Sequence, residues 1–253
     1  MDFSELSHQR EIRESLNKIF SEKCSPEKLK EFDNEFKHDE NLYDFLATNG
    51  YLGLGINEKL NGSGEDLYDL GILFECLGFY AVPLSLTGCL VDVAQTLQKF
   101  SKNDNHQSII SSITKGEIYT SAILEPLNHD PENPTTTAVF DGDKVIINGS
   151  KYLSEISSLA KGILISASSN KGVILVLVKT DNVKLTQLTS TANSPLFKVE
   201  LNNVSIEQSD IVHQEGRGLE TLRYLLQINM VMRRYIALGV TNKMTSLIAS
   251  YTS

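Results

Sequence analysis

The stretch TKGEIYTSAILEP (Thr114–Pro126) divides the sequence into two parts with different apolar periods. Before Gly116, apolar residues recur every three or four positions, which is the spacing of an amphipathic helix. After Gly116, β-branched residues dominate in short runs that are separated by turn residues, which is typical of strands. The sequence therefore predicts an N-terminal helical bundle over residues 1–116 and a β domain over residues 117–212.

Several helix signals support the first prediction. The most regular apolar stripe consists of Leu67, Leu70, Leu73, Phe74 and Leu77. Ser25 and Pro26 are typical of a helix start, because serine caps the first turn and proline loses no hydrogen bond at the first helical position. Asn49 and Gly50 are typical of a left-handed helix end.

The second part contains short runs with turn residues between them. The predicted strands are Ile118–Leu124, Thr136–Phe140, Lys144–Asn148, Gly162–Ser168, Val173–Lys179, Val183–Leu188 and Phe197–Val204. Asp141-Gly142 and Asn148-Gly149 predict tight turns on both sides of the third strand. This spacing predicts a small antiparallel, barrel-like domain and disfavours a parallel nucleotide-binding sheet.

The helical period returns after Gly218 and continues to Ser253 without a stop signal. We interpret residues 213–253 as the first helix of an incomplete C-terminal helical domain, so that the sequence is expected to be a fragment. The predicted fold class is an α+β multidomain protein.

Composition excludes several classes of protein. The chain has 253 residues, 41% hydrophobic content and 22% charged content, which excludes a disordered or fibrous chain. The net charge of −9 disfavours nucleic acid and anionic membranes as main partners. The cysteines are three in number and widely spaced, which favours a reducing, cytoplasmic compartment over a disulfide scaffold.

Two segments bear on targeting and membranes. The polar N-terminus, Met1–Glu14, has no signal-peptide pattern. The apolar run Gly71–Val91 contains Glu75 and Pro83, which favour two short buried helices over a membrane span.

Local motifs for cofactors and metals are absent from the sequence. Gly50, Gly53 and Gly55 follow helical texture, and Glu58 stands where a dinucleotide-binding loop needs a third glycine. The histidines are isolated, so that neither a metal site nor a Ser-His-Asp arrangement is predicted.

The order of the segments, however, resembles that of the acyl-CoA dehydrogenase family. The matching segments are NGYLGLGINEKLNGSGEDLYDLGILFECLG (Asn49–Gly78), TKGEIYTSAILEP (Thr114–Pro126), VIINGSKYLSEIS (Val145–Ser157), EGRGLETL (Glu215–Leu222) and the helix Ala237–Ser253. Each motif alone is weak, but together they cover nearly the whole chain in unbroken order.

The resemblance implies an oxidoreductase of lipid metabolism that dehydrogenates an acyl-CoA thioester between its α- and β-carbons and transfers a hydride to N5 of FAD. It also implies an electron-transfer flavoprotein or similar acceptor, and a homo- or hetero-oligomer of like subunits. By resemblance, the cofactor-binding residues are Tyr152 beside the flavin ring, Ser154 near N5, and the backbone of Ile123 and Leu124 at the pyrimidine edge. Period-two alternation predicts that Tyr152 and Ser154 share one face of their strand, with Leu153 on the other.

Departures from the family pattern leave two interpretations open. The loop Leu127–Pro131 replaces a glycine-rich segment that serves phosphate groups, and Leu124 replaces a threonine. On the last helix, Asn229 and Met230 stand where some members of the family carry the catalytic base and an arginine, and neither side chain can act as a base. By resemblance, most members carry the base in the final helical domain, so that the catalytic base is expected beyond residue 253 and no catalytic residue is predicted here. The chain is either part of an FAD-dependent dehydrogenase, inactive by itself, or a non-catalytic subunit with a degraded flavin site that acts in assembly or acyl-CoA binding.

Overall fold

A computed structural model describes residues 4–35, 38–64, 66–191, 194–213 and 215–252. Its first part is helical, as predicted. The helices are α1 (Ser7–Lys23), α2 (Pro26–Glu35), α3 (Glu40–Thr48), α4 (Leu67–Phe79), a π-helical segment Thr87–Gln95 that continues into α5 (Thr96–Phe100), and α6 (Asp104–Ile113). The predicted helix start at Pro26 and the predicted helix end near Gly50 are confirmed. Helix α2 begins at Pro26, and α3 ends just before Gly50, whose φ is +81°.

The apolar run Gly71–Val91 contains the end of α4, a connection through Pro83 and the start of the π-helical segment. The run therefore contributes to two buried helices and does not form one membrane-spanning helix, as predicted. Within the described ranges, no helix is long and apolar enough to cross a membrane.

The π-helical segment was not predicted, because its apolar spacing resembles that of an α-helix. All of its residues are buried. It packs closely on the first strand, since a Cβ on Gly88 would lie 2.5 Å from Oγ1 of Thr120. Local periodicity does not encode this packing.

The second part forms one seven-stranded sheet within the described ranges. The strands are β1 (Tyr119–Ala122), β2 (Thr137–Asp141), β3 (Lys144–Glu155), β4 (Gly162–Ser169), β5 (Gly172–Lys179), β6 (Lys184–Leu188) and β7 (Leu196–Glu207). Their order is β1-β4-β2-β3-β7-β6, and β5 pairs with β4.

Most neighbouring strands are antiparallel, which confirms the hairpin character of the predicted domain. The antiparallel pairs are β2/β3, β3/β7, β4/β5 and β6/β7. Strand β4 lies between β1 and β2 and runs parallel to both, so that the sheet is mixed. Hairpin spacing cannot reveal this, because the insertion of β4 joins strands that are distant in sequence.

One of the two predicted turns is present. Asp141 pairs with Lys144 across a two-residue turn that contains Gly142, as predicted. The prediction of a turn at Asn148-Gly149 is wrong. Strand β3 continues through these residues to Glu155, with a register shift against β7. A Cβ on Gly149 would lie 2.6 Å from Oγ1 of Thr136, so that the glycine permits a bulge with close packing.

The last helix, α7 (Gly218–Thr252), packs against α4. It shares one core with the helical part and with Leu164, Leu175 and Leu177 of the sheet, whereas a second core lies on the other face of β4 and β5. The predicted end of this helix, Ser253, lies outside the described residues. The domain boundaries at residues 116/117 and 212/213 stay predictions.

Glycines set the distance between α4 and α7. A Cβ on Gly239 would lie 1.9 Å from the carbonyl oxygen of Glu75, and one on Gly78 would lie 2.1 Å from that of Ile236. We expect Gly239→Ala to lower the free energy of unfolding by about 1–3 kcal/mol, because the two backbones must separate. Urea denaturation measures this change. Ser246→Ala, on the exposed side of α7, is the control and should stay within about 0.5 kcal/mol of wild type. An unchanged stability of the Gly239 variant would contradict the observed packing.

Candidate active site

A buried ion pair organises the end of β1. Nζ of Lys151 lies 2.8 Å from Oε1 of Glu125, and it also donates to Ser166 Oγ (3.1 Å) and to the carbonyl oxygen of Ile123 (3.4 Å). The Lys151 side chain is completely buried. Burial lowers the pKa of Lys151 to about 8, although Glu125 opposes this shift.

The Glu125 carboxylate also holds the loop that follows it. It accepts hydrogen bonds from the amides of Thr135 (2.6 Å) and Thr136 (2.8 Å) and from Nδ2 of Asn128 (3.0 Å). Burial raises the pKa of this carboxyl, but Lys151 and these donors outweigh burial and hold the pKa below its usual range. The pair therefore connects β1, β3 and the loop around Leu127–Pro131.

Three of the predicted cofactor residues lie together beside this pair. The amide of Tyr152 donates to the carbonyl oxygen of Leu124 (2.8 Å), and the carbonyl oxygen of Ile123 accepts from Lys151. A different set of three side chains is more than one third exposed, namely those of Leu124, Tyr152 and Leu153. We call this exposed set the apolar platform.

Ser154 does not belong to the platform. It is 1% exposed, and its hydroxyl donates to the carbonyl oxygen of Ser121 (2.7 Å) and accepts from Ser157 Oγ (2.7 Å). The predicted common face of Tyr152 and Ser154 is wrong, because β3 shifts register between Lys151 and Ser154, with Leu153 at a φ of +56°. The extra residue turns Ser154 to the buried side and leaves Leu153 exposed beside Tyr152. The cofactor roles of Ile123, Leu124, Tyr152 and Ser154 stay predictions.

These residues fit the ring of a flavin cofactor better than its phosphate groups. The platform offers exposed aromatic and aliphatic side chains, the kind on which a flat isoalloxazine ring stacks. The Ser154 hydroxyl already has two partners, so that it is not available to the ring. The neighbouring loop carries Asp130 and Glu132, and Arg223 of α7 is paired with Glu132 at 2.9 and 2.7 Å. Carboxylates at this place disfavour a phosphate group.

A second cluster, which the sequence did not reveal, lies where the π-helical segment, β1, β3 and α7 meet. Asp92 accepts hydrogen bonds from Ser121 Oγ (2.5 Å) and from Nδ2 of Asn229 (2.7 Å). Oδ1 of Asn229 accepts from Nε of Arg233 (2.9 Å), and Arg233 also donates to Oε1 of Glu155 (3.0 Å). We call these five residues the Asp92 centre.

Burial determines the acidity of Asp92. It raises the pKa of this carboxyl to about 7, while the hydrogen bonds from Ser121 and Asn229 oppose the shift. The charge of Glu155 raises the pKa further and that of Arg233 lowers it. A carboxyl in this range exists in both protonation states near neutral pH, which general acid–base chemistry requires.

The structure shows what surrounds Asn229 and Met230, the two positions that the sequence singled out on the last helix. Asn229 lies in the Asp92 centre, whereas Met230 is exposed. The centre was missed because its members are dispersed along the chain. One signal was available: Asp92 is an ionisable residue inside the apolar run Leu90–Ala94, where only a partnered carboxyl is expected.

Another cluster lies on the helical part. His8, Asp66 and Asp69 place possible metal-ligand atoms within 4.8 Å of one another. Nε2 of Gln9 donates to both aspartates at 3.3 and 3.1 Å. These contacts connect α1 to the start of α4, which accounts for the cluster without a metal ion.

Comparisons with known proteins agree with this architecture. Residues 7–117 match the family model "Acyl-CoA dehydrogenase, N-terminal domain". The probable acyl-CoA dehydrogenase YngJ of Bacillus subtilis is 21% identical over 95% of this chain and 67% of its own length. The mitochondrial long-chain specific acyl-CoA dehydrogenase of Sus scrofa is 28% identical over 66% of this chain and 41% of its own length.

Solved structures share the fold at low identity. The ChsE4-ChsE5 complex from Mycobacterium tuberculosis has a TM-score of 0.90 at 22% identity, covering 99% of this chain and 68% of that one. PigA with FAD and proline has a TM-score of 0.89 at 20% identity, covering 99% and 70%. The chain spans 41 to 67% of the length of the two curated relatives above.

Proposed function

We propose that this chain, whose residues 7–117 match the N-terminal domain of acyl-CoA dehydrogenases, is a member of that family and a component of an FAD-dependent acyl-CoA dehydrogenase. The observation that carries the proposal is the family's three-part architecture, with an apolar platform and a buried carboxyl where the parts meet. The substrate is an acyl-CoA thioester that loses hydrogen from its α- and β-carbons. When bound, FAD would accept the hydride from the β-carbon, and an electron-transfer flavoprotein or similar protein would take up the electrons.

The residues of this chain have positioning roles in this proposal. The apolar platform would support one face of the flavin ring, and the backbone of Ile123 and Leu124 would hold its edge. The Glu125–Lys151 pair keeps this backbone in place, because it binds both the end of β1 and the following loop.

The three cysteine thiols are buried and unpaired, which supports a reducing, cytoplasmic compartment.

A second candidate is a subunit of the same family that has lost its own flavin. The engaged hydroxyl of Ser154 and the acidic residues Asp130 and Glu132 favour it. Two similar solved structures, ChsE4-ChsE5 and Tcur3481-Tcur3483, are named as pairs of chains. In this candidate, a partner subunit of like fold holds the FAD, and this chain contributes to assembly or acyl-CoA binding.

Flavin content separates the two candidates. The full-length protein is purified alone and together with a co-produced second subunit of the family, and FAD is measured for each chain after denaturation. One FAD for each copy of this chain, bleached anaerobically by an acyl-CoA, supports the first candidate. FAD bound in proportion to the partner alone supports the second. Absence of both flavin and acyl-CoA binding contradicts the proposed function.

Tyr152→Ala tests the platform. We expect flavin affinity to fall by about 1–3 kcal/mol, because stacking area is lost from an exposed ring contact. Val139→Ala removes a similarly exposed apolar side chain from β2 and serves as the control. Fluorescence titration of the apoprotein with FAD measures both affinities. Equal affinities for the two variants would contradict the platform.

Ser154→Ala is expected to act on stability. The variant loses the hydrogen bond to the carbonyl oxygen of Ser121, which costs about 1 kcal/mol of unfolding free energy. Flavin affinity should stay at the wild-type value, since the hydroxyl is buried. Urea denaturation and the same FAD titration measure the two quantities. A lower flavin affinity at unchanged stability would restore the role that the resemblance implies for Ser154.

A further inference from the structure

The end of β3 contains two residues in a backbone conformation that their side chains disfavour. Leu153 has a φ of +56° and Ile156 has a φ of +44°. Positive φ is an outlier for a bulky or β-branched residue, and it persists only where the surrounding structure holds it. We call residues 153–156 the β3 turn. Because Tyr152 and Leu153 of the apolar platform lie at its start, the contacts that hold the turn also place the platform.

Strand β1 holds the β3 turn through side-chain hydroxyls. The Ser154 hydroxyl donates to the carbonyl oxygen of Ser121 (2.7 Å), and the Thr120 hydroxyl donates to the carbonyl oxygen of Glu155 (2.8 Å). The backbone hydrogen bond of the platform adds a third link just before the turn. Because three hydrogen bonds connect the two strands here, the loss of one of them leaves the turn attached to β1. This is consistent with the unchanged flavin affinity that we expect for Ser154→Ala.

Helix α7 holds the same turn through one side chain. Arg233 donates from Nη2 to Oε1 of Glu155 (3.0 Å) and from Nε to Oδ1 of Asn229 (2.9 Å). Both donors belong to one planar guanidinium group, so that Asn229 fixes the direction in which Arg233 reaches β3. Within the described ranges, Arg233–Glu155 is the ion pair that connects α7 with β3.

These contacts form a closed polar ring between the π-helical segment, β1, β3 and α7. The ring runs from Ser121 through Asp92, Asn229 and Arg233 to Glu155, and it returns to Ser121 through Ser154. A buried carboxyl without a directly bound cation is costly to retain. The ring gives Asp92 a role, because Asp92 orients Asn229 and Asn229 orients Arg233.

We propose that Arg233 is a positioning residue, which sets Tyr152 and Leu153 of the apolar platform relative to α7 by holding Glu155. This inference rests on the proposed function, in which the platform supports the flavin ring. In a regular strand, Tyr152 and Leu153 would lie on opposite faces. The turn brings both side chains to the surface, and without the ion pair its strained residues can relax toward the regular conformation. The position of α7 is thereby coupled to the shape of the platform.

Hydrogen exchange tests the inference without requiring flavin. The full-length protein, with any partner subunit, is compared with Arg233→Gln. The amides of Tyr152 and Ile156 report on the two ends of the turn, since they donate to the carbonyl oxygens of Leu124 (2.8 Å) and Pro195 (2.9 Å). We expect both amides to exchange about 2–5-fold faster in the variant, a factor that corresponds to an exposed ion pair. The amides of β4 and β5 should exchange at the wild-type rate.

Flavin affinity gives the second readout. Fluorescence titration of the apoprotein with FAD should show an affinity about 2–5-fold weaker for Arg233→Gln than for wild type. Arg217→Gln is the control, because Arg217 is also an exposed arginine of α7 but pairs with Glu220 of the same helix. This control should match wild type in FAD affinity and in the exchange of the turn amides.

Reversal of the ion pair separates positioning from a loss of stability. Arg233→Glu alone places two carboxylates side by side, and it should weaken FAD binding more than Arg233→Gln does. The double variant Arg233→Glu/Glu155→Arg restores a pair of opposite charges, and it should recover part of the affinity and of the amide protection. Glu155→Gln breaks the pair from the other side and should reproduce the Arg233→Gln result, which keeps the test available if the arginine variants do not fold.

The outcomes separate this inference from the proposed function. Wild-type exchange of the Tyr152 and Ile156 amides in Arg233→Gln overturns the inference. Equal acceleration in β4 and β5 also overturns it, because the arginine would then act on stability alone. A loosened turn with unchanged FAD affinity overturns it as well, since the platform would not depend on the turn. A loosened turn in a protein that binds no flavin supports the positioning role of Arg233 and contradicts the proposed function.

Discussion

Lys151→Met is expected to lower the free energy of unfolding by about 3–5 kcal/mol, because it leaves the Glu125 carboxylate buried without its cation. The lysine is completely buried and 2.8 Å from that carboxylate. The effect should extend to the loop that Glu125 holds through Thr135 and Thr136. Urea denaturation measures the loss, and hydrogen exchange of the two threonine amides measures the loosening of the loop.

Two controls belong to this experiment. Lys161→Met breaks the exposed pair with Glu117 and should change stability by less than about 1 kcal/mol. The double variant Lys151→Met/Glu125→Gln removes both charges and should recover part of the loss, because no uncompensated charge remains. A single variant at position 151 that is as stable as the Lys161 variant would show that the pair does not hold this edge.

Asp92→Asn is expected to remove a pH dependence of stability. The pKa of Asp92 is raised from 3.8 to about 7 in the folded protein. Its contribution is therefore fully present below about pH 4 and is lost as pH rises through 7, because the unfolded chain ionises first. The shift corresponds to about 4 kcal/mol, by which wild type loses stability relative to the variant between pH 4 and 8.

Urea denaturation at several pH values measures this difference. The isosteric asparagine keeps an acceptor for Ser121, so that the variant is expected to fold. Asn229→Leu should extend the loss of stability to higher pH, since it removes a donor to the ionised carboxyl. Parallel curves for wild type and Asp92→Asn across this range would mean that the carboxyl is not buried as the structure has it.

Much of the fold was readable from local patterns. Apart from β3, which runs seven residues past its predicted end at Asn148, the strands were predicted within a few residues, and so was the start of α2 at Pro26. Alternation and capping depend on neighbours in sequence. The turn at Asn148-Gly149 failed for the opposite reason. Asn-Gly favours a turn in isolation, but pairing of β3 with β7 on both sides of it converts the glycine to a bulge.

The candidate site was predicted in part, by resemblance. Ile123, Leu124 and Tyr152, which the resemblance named, are close together, since the Tyr152 amide donates to the carbonyl oxygen of Leu124. Ser154 was placed on the wrong face, because period two holds only while the register is unbroken. The bulge at Leu153 depends on how β3 meets β7, which is not encoded in the alternation of β3 itself.

The amino-acid sequence by itself determined the order of the parts, the main helices and strands, and the resemblance to a family, because these depend on local periodicity and on motifs in a fixed order. The tertiary structure alone decided the Asp92 centre. Asp92 and Asn229 are 137 positions apart, yet Nδ2 of Asn229 lies 2.7 Å from Oδ1 of Asp92. Packing of α7 against α4 and of the π-helical segment against β1 brings them together, and burial there changes the acidity of the carboxyl. Proximity and burial are properties of the folded chain, so that no local pattern could have shown them.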